Sequence, residues 1–275
     1  MSSSTNQPAV MIDPIHITRW GDSGPKVVLV HGSAQGGSVG GDHHFSRQEA
    51  LGRRGWSVIV PDRPGHGRSP APGRPDDAEI DGAWVSDLLG EGAHLVGHSF
   101  GGCVALAAAA LRPERVRSLT LIEPGMQTLA MDDSRVRKFV MGLLFAKFFS
   151  ISATSRARRF VKIAGIPADL RGDAGPDELR RIGEGLGKIR IPSKATLEAQ
   201  LGVIKDAKIP LLTISGGWSP GIDQTAARVA ALGGGKHRII QSPHHFPQRI
   251  SEEFNDALSR FMTESDAGAG GPSGS

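Results

Sequence analysis

A serine, a histidine and a carboxylate are the three residue types needed for nucleophilic acyl transfer. In this chain each occurs where a turn follows an apolar run. The serine is Ser99 in GHSFG (97–101), which follows AHLVGHS (93–99) and leads into the helix-like GGCVALAAAAL. Glycines on either side leave room for a strained strand-to-helix turn that points the hydroxyl out of a sheet. A serine hydroxyl is a weak nucleophile until an adjacent base takes its proton. The predicted base is His245 in SPHHFPQ (242–248), with its neighbour His244 as the alternative. Such a base needs a carboxylate to orient it. Glu123 sits at the tip of the otherwise apolar SLTLIEPG (118–125), where a carboxylate is expensive to bury without a partner. Asp223, the alternative, reads as the first turn of a helix, where an acid ordinarily stabilises the N–H-rich start.

Acyl transfer also needs donors for a developing oxyanion. The backbone N–H of Phe100, at the positive end of the following helix, is one candidate. The second is Ser33, with Ala34 as the alternative, in HGSAQGG (31–37) after the run VVLV. His98 is read as a packing residue, and Asp62 and His66 in PDRPGHGRS (61–69) as structural. His43, His44, His244 and His245 form two adjacent pairs that match no metal-ligand spacing, so neither a metal nor a cofactor is expected.

Positioning these residues requires a sheet. Strand-like runs occur at 16–20, 26–32, 57–62, 93–99, 118–125, 209–217 and 237–243, with helix candidates at 43–54, 77–90, 100–111, 222–232 and 251–263. Runs such as VVLV and LTLI are apolar at every position, as strands covered on both faces are. Alternation of strand and helix predicts a mostly parallel, doubly covered α/β sheet. The rhythm breaks at 126–205, where only helical segments appear, at 134–149, 155–165, 176–186 and 193–204. An all-helical insert between two strands belongs over the sheet's C-terminal edge, where open α/β folds bind ligands.

Taken together, His31–Gly32 after an early strand, PDRPGHGRS, GHSFG, the helical insert and a late His-Phe resemble the α/β-hydrolase family over nearly the whole chain. The resemblance implies an α/β-hydrolase core (13–125 and 206–263) and a helical cap (126–205) inserted after the sixth strand of the family's sheet. It also implies a Ser…acid…His triad. The family's acid usually follows the strand after the cap, in ISGGWSPGID (214–223), but Ser219 stands there. Some members, among them macrolactone hydrolases acting on zearalenone, take it from the position of Glu123, on the strand beside the one that carries the serine.

The expected activity is therefore hydrolysis of a small apolar carboxylic ester or lactone, including a zearalenone-like macrolactone. The expected pocket residues are Trp218, His31, Met141 and Phe145. The apolar cluster Met141, Leu143, Leu144, Phe145, Phe148 and Phe149 is expected to face pocket or core, a membrane-facing role being the alternative. Carbon–carbon bond hydrolysis, cofactor-free oxygenation and a non-catalytic ligand receptor remain as alternatives on the same fold. Epoxide opening by lid tyrosines does not, because the chain has no tyrosine.

Composition limits the remaining classes. With 275 residues and 39% apolar content the chain can bury a substantial core. No run reaches the roughly 20 apolar residues of a membrane helix, and MSSSTNQPAVMI lacks the pattern of a signal peptide. The single cysteine suits a reducing cytoplasm. Residues 1–12 and 264–275 are expected to be disordered. The formal charge of +4 is uneven: 126–205 holds 15 Lys and Arg against 8 Asp and Glu. No basic stripe interleaved with aromatics suggests a nucleic-acid partner, and the sequence is silent on oligomeric state.

Overall fold

The computed structural model describes residues 15–32, 34–167 and 175–269. Seven strands form one sheet: β1 (Ile17–Trp20), β2 (Lys26–Val30), β3 (Ser57–Pro61), β4 (Ala93–His98), β5 (Val116–Ile122), β6 (Leu211–Ser215) and β7 (Lys236–Ile239). Their spatial order is β1-β3-β2-β4-β5-β6-β7, with β1 antiparallel to β3 and the other neighbours parallel. Each expected strand is present and ends where turn residues begin, with β5 and β7 starting one or two residues earlier than expected.

Helices follow in chain order: α1 (Gly41–His44), α2 (Glu49–Arg53), α3 (Ala78–Leu88), α4 (Phe100–Leu111), α5 (Ser134–Phe148), α6 (Ala153–Ile163), α7 (Pro176–Lys188), α8 (Lys194–Asp206), α9 (Pro220–Gly233) and α10 (Glu252–Ala269). Strand periodicity sorts the core into two layers. Val28 and Val30 point to a cluster with Trp84, Val104 and Val229, whereas Val27 and Leu29 point to Phe45, Phe254 and Met262. The sheet is covered on both faces, which is why its central strands carry apolar residues at every position.

Two boundaries differ from the sequence reading. Helix α8, expected in the cap, buries Leu197, Leu201 and Ile204 in the same cluster as α4 and α9. The part of the insertion outside that cluster is α5 to α7. Helix α10 continues to Ala269 instead of stopping before 264. The polar extension is held by tertiary contacts, since Asp266 pairs with His94 and with Arg117, each at 3.3 Å. Residues 1–12 and 270–275 lie outside the described residues.

Behind the C-terminal edge lies a buried ionic group. Arg63, just beyond β3, is fully buried and hydrogen-bonds Asp76 and Asp81, while Arg74 reaches Asp81 at 2.6 Å. Burial opposes the charge of Arg63, but the two carboxylates outweigh it and its pKa is raised. Removing one partner of such a group strands the others. Arg63→Met should therefore lower unfolding stability by about 3–5 kcal/mol in urea titrations.

Four buried imidazoles lie nearby. His31 stacks on His44 and meets His66 edge-on, both at 5.1 Å between ring centroids, and His98 lies 4.6 Å from Phe246. Burial, followed by the neighbouring charges, lowers the pKa of all four, that of His44 to about 3. Below about pH 6.5 the unfolded chain binds protons that the folded chain refuses, so stability falls as pH falls. Urea melts at pH 8, 6 and 5 should show this decline. His44→Phe should flatten it by up to about 1.4 kcal/mol per pH unit. Asp62 adds a separate loss at lower pH: burial opposes its charge, but Arg68 and backbone donors hold its pKa below 3.8.

Candidate active site

Ser99 occupies the turn between β4 and α4 at φ 56° and ψ −124°, a conformation that side chains rarely adopt. Three backbone bonds hold it there. Its N–H donates to the Ile122 carbonyl at 2.9 Å, and its own carbonyl accepts from Gly102 at 2.9 Å and Gly125 at 3.0 Å. The flanking glycines are steric requirements. A Cβ on Gly97 would lie 2.4 Å from the Gly101 carbonyl, and one on Gly101 would lie 2.3 Å from that of Val30. Phe100 opens α4, so its N–H has no carbonyl partner within the helix.

The loop after β2 closes on this turn. A Cβ on Gly32 would come within 2.6 Å of the Ser99 Cβ. Ser33 lies outside the described residues; Ala34 is buried and borders a small cavity with Ser99 and His245. The loop is anchored from behind. Gln35 N–H donates to Asp76 at 2.9 Å, Gly36 N–H to Gly65 at 3.0 Å, and Arg63 N–H to His31 Nε2 at 2.9 Å. With Nε2 accepting, His31 Nδ1–H donates to the Gly32 carbonyl at 2.8 Å.

Register brings the carboxylate beside the serine. His98 pairs with Ile122 across β4 and β5, so Ser99 and Glu123 leave adjacent strand tips one residue later. Glu123 is also at positive φ, 42°, and is almost completely buried. Its Oε2 lies 2.5 Å from His245 Nδ1. Its Oε1 accepts from Gly216 N–H at 2.8 Å, and both oxygens lie 3.0 Å from the Trp218 indole N–H. The loop after β6 thus supplies donors to a carboxylate from β5 instead of supplying the carboxylate. Asp223 is engaged elsewhere, accepting from Gly217 N–H at 3.1 Å, and Ser219 stands at the N-terminal boundary of α9 without a side-chain capping bond.

His245 is fixed through its backbone. Its N–H donates to Gly165 at 3.3 Å and its carbonyl accepts from His98 Nε2 at 2.7 Å. His98 therefore does more than fill space: it is neutral, protonated at Nε2 and hydrogen-bonded to the backbone of His245. His244 turns away, with its Nδ1 accepting from Phe246 N–H at 3.2 Å.

Ser99 and His245 border two cavities. The larger, about 400 Å³, lies beneath the insertion and is walled mainly by apolar side chains of α5 and α6, among them Phe139, Leu143, Leu144 and Phe160. The smaller, about 80 Å³, lies toward the β2 loop, bordered by Ala34, His44, His98, Ile182 and Phe246. None of the four expected pocket residues lines either cavity. Trp218 points its N–H at Glu123, and His31 is spent bridging Arg63 and Gly32. Met141 and Phe145 face outward, 61% and 54% exposed. The sequence reading also missed the part played by Arg63 and Asp76. Its available signal was the charged pair of stretches PDRPGHGRS and RPDDAE flanking one loop.

Comparison with known proteins agrees with this architecture. The chain is 37% identical over 166 residues to lipase LipV of Mycobacterium tuberculosis, spanning 58% of each chain. It is 28% identical over 201 residues to a pimeloyl-[acyl-carrier protein] methyl ester esterase of Aeromonas hydrophila, covering 71% of this chain and 73% of the other. Among solved structures, a carboxylesterase of the ammonia-oxidizing Thaumarchaeon Nitrososphaera gargenis superposes with a TM-score of 0.68 at 16% identity, covering 95% and 98% of the two chains. The N-acyl homoserine lactonase AidH, complexed with N-butanoyl homoserine, gives 0.62 at 20%, covering 91% and 93%. The description alpha/beta hydrolase fold matches residues 25–157, from β2 through the elbow into the insertion. With its sheet order, serine turn and helical insertion, the chain has the α/β-hydrolase fold.

Proposed function

We propose that this hydrolase cleaves a carboxylic ester or lactone through an acyl-enzyme on Ser99. The observation that carries the reading is the short contact between Glu123 and His245, made at a serine turn that borders the same cavity. In this reading Glu123 accepts the Nδ1 proton of His245, which leaves the Nε2 lone pair to take the proton of Ser99 as its oxygen attacks the carbonyl carbon. The N–H of Phe100, with that of Ser33 or Ala34, binds the oxyanion. His245 then returns the proton to the leaving alcohol, and water repeats the sequence to release the acid. The lipase and methyl ester esterase relatives support ester chemistry, and the lactonase fold neighbours are compatible with a lactone.

The cavities support a substrate of unequal halves. One side of the scissile bond fits a long apolar group, in about 400 Å³, and the other has about 80 Å³. A macrolactone ring of the zearalenone kind would have to lie wholly in the larger space. Some relatives are 2-hydroxy-6-oxononadienedioate hydrolases, with 38% identity but only 40% of each chain covered. A dianion of that kind would meet a largely apolar wall whose cations are Lys147 and Arg156, so carbon–carbon cleavage is the second reading.

Titrated proton release over a panel of esters and lactones, blanked with Ser99→Ala, tests the activity. Esters long on one side and short on the other should turn over at least about tenfold faster than esters long on both, a discrimination of about 1.4 kcal/mol. Equal rates would remove the two-compartment reading, and turnover surviving in Ser99→Ala would remove the nucleophile. For the acid, Glu123→Gln should lower kcat by about 10³–10⁴-fold, as loss of the orienting carboxylate does elsewhere. Asp223→Asn should stay within about threefold, since its bond is an exposed loop contact worth little. The opposite ranking would move the acid to Asp223.

A further inference from the structure

Helix α5 is apolar on two sides. One side, with Phe139, Val140, Leu143 and Ala146, faces the larger cavity. On the other, Met141, Phe145 and Phe148 recur at helical spacing, and Phe149 and Ile151 continue the patch into the turn before α6. An apolar helix face is ordinarily turned to the core. Here the outer side is open: Phe148 is 69% exposed, Phe149 67% and Ile151 95%. Within the patch Phe145 and Phe149 stack at 5.2 Å and the Arg159 guanidinium sits 5.3 Å above Phe145.

Its charge is one-sided. Between Asp133 and Asp169 the sequence holds eight Lys and Arg and no Asp or Glu. Lys138 on α5 and Arg158 and Lys162 on α6 are exposed, and the Lys147 ammonium lies 5.9 Å from the Phe148 ring. The acids of adjoining α7 are engaged with other groups. Glu178 accepts from Ser38, and Glu184 pairs with Arg180 at 2.8 Å. A second copy of this chain is a poor occupant, because a two-fold contact would set these cations against themselves. An anionic surface with an apolar interior matches both features.

We propose that the outer face of α5 and the α5–α6 turn dock on an anionic lipid bilayer, the aromatic side chains entering the headgroup region and the lysines and arginines meeting the lipid charge. Docking is peripheral: among the described residues no helix is long and apolar enough to cross a membrane. The patch is continuous with the larger cavity through Leu144, which is 39% exposed and also lines that cavity. The site therefore faces a phase in which apolar molecules concentrate.

The test is flotation of the full chain with vesicles of phosphatidylcholine containing about one-third phosphatidylglycerol, and with phosphatidylcholine alone. The wild type should float with the anionic vesicles, less so in high salt. Phe148→Ser/Phe149→Ser should weaken partitioning at least about tenfold. Arg158→Gln/Lys162→Gln should remove the preference for anionic vesicles, and it touches no buried group. Unchanged thermal midpoints establish that the variants are folded, with no reference to ester hydrolysis. Three results would overturn the proposal: a wild type that ignores vesicles, binding unaffected by both variants, or a dimer in sedimentation that the phenylalanine variant dissolves while neither protein binds lipid.

Discussion

A buried carboxylate must find donors, and the site is arranged around that need. Glu123 leaves β5 at the one edge of the sheet where backbone N–H groups from a neighbouring loop are free to reach it. Gly216 N–H reaches one oxygen, the imidazole of His245 the other, and the Trp218 indole N–H lies within reach of both. The loop after β6 is shaped by this demand. A Cβ on Gly216 would lie 2.9 Å from Glu123 Oε1, and Trp218 has its N–H rather than a ring face toward the site. The side chain of Glu123 thus ties together three chain segments, β5 and the loops after β6 and β7.

On the opposite side, the loop that approaches Ser99 depends on a second buried charge. Arg63 fixes Asp76, and Asp76 accepts from the backbone of Gln35. A loop of glycines and small residues has little side-chain packing of its own, so its position is set from behind by ions and by the neutral His31. Buried ion pairs contribute little net stability against apolar replacements. Their value here lies in directing backbone donors toward one point. The proposed chemistry needs those donors to be in place before the oxyanion forms.

The insertion solves a different problem. It must cover the C-terminal edge with apolar surface without collapsing onto Ser99. Helix α5 does so with one face turned to the cavity, while α8 packs into the core and anchors the end of the insertion. The outer face of α5 is left exposed. Its stacked aromatics and one-signed charge are the features that fit it to a lipid surface.

Much of this protein was legible in the sequence. Strand and helix periodicities are local, so the seven strands, the doubly covered sheet and the four inserted helices could be read from apolar spacing alone. The serine turn was equally readable, because the need for glycine at 97 and 101 is a steric property of one short segment. The carboxylate was narrowed to Glu123 or Asp223, and only the tertiary structure shows that Glu123 is the one beside His245. What a carboxylate touches depends on which strand tips are neighbours, and the pairing of His98 with Ile122 sets that. The pocket was not legible, and Met141, Phe145, Trp218 and His31 were misplaced for one reason. Residue type and spacing show that a side chain is apolar or aromatic. Only packing in three dimensions decides whether it faces a cavity, a buried charge or the solvent.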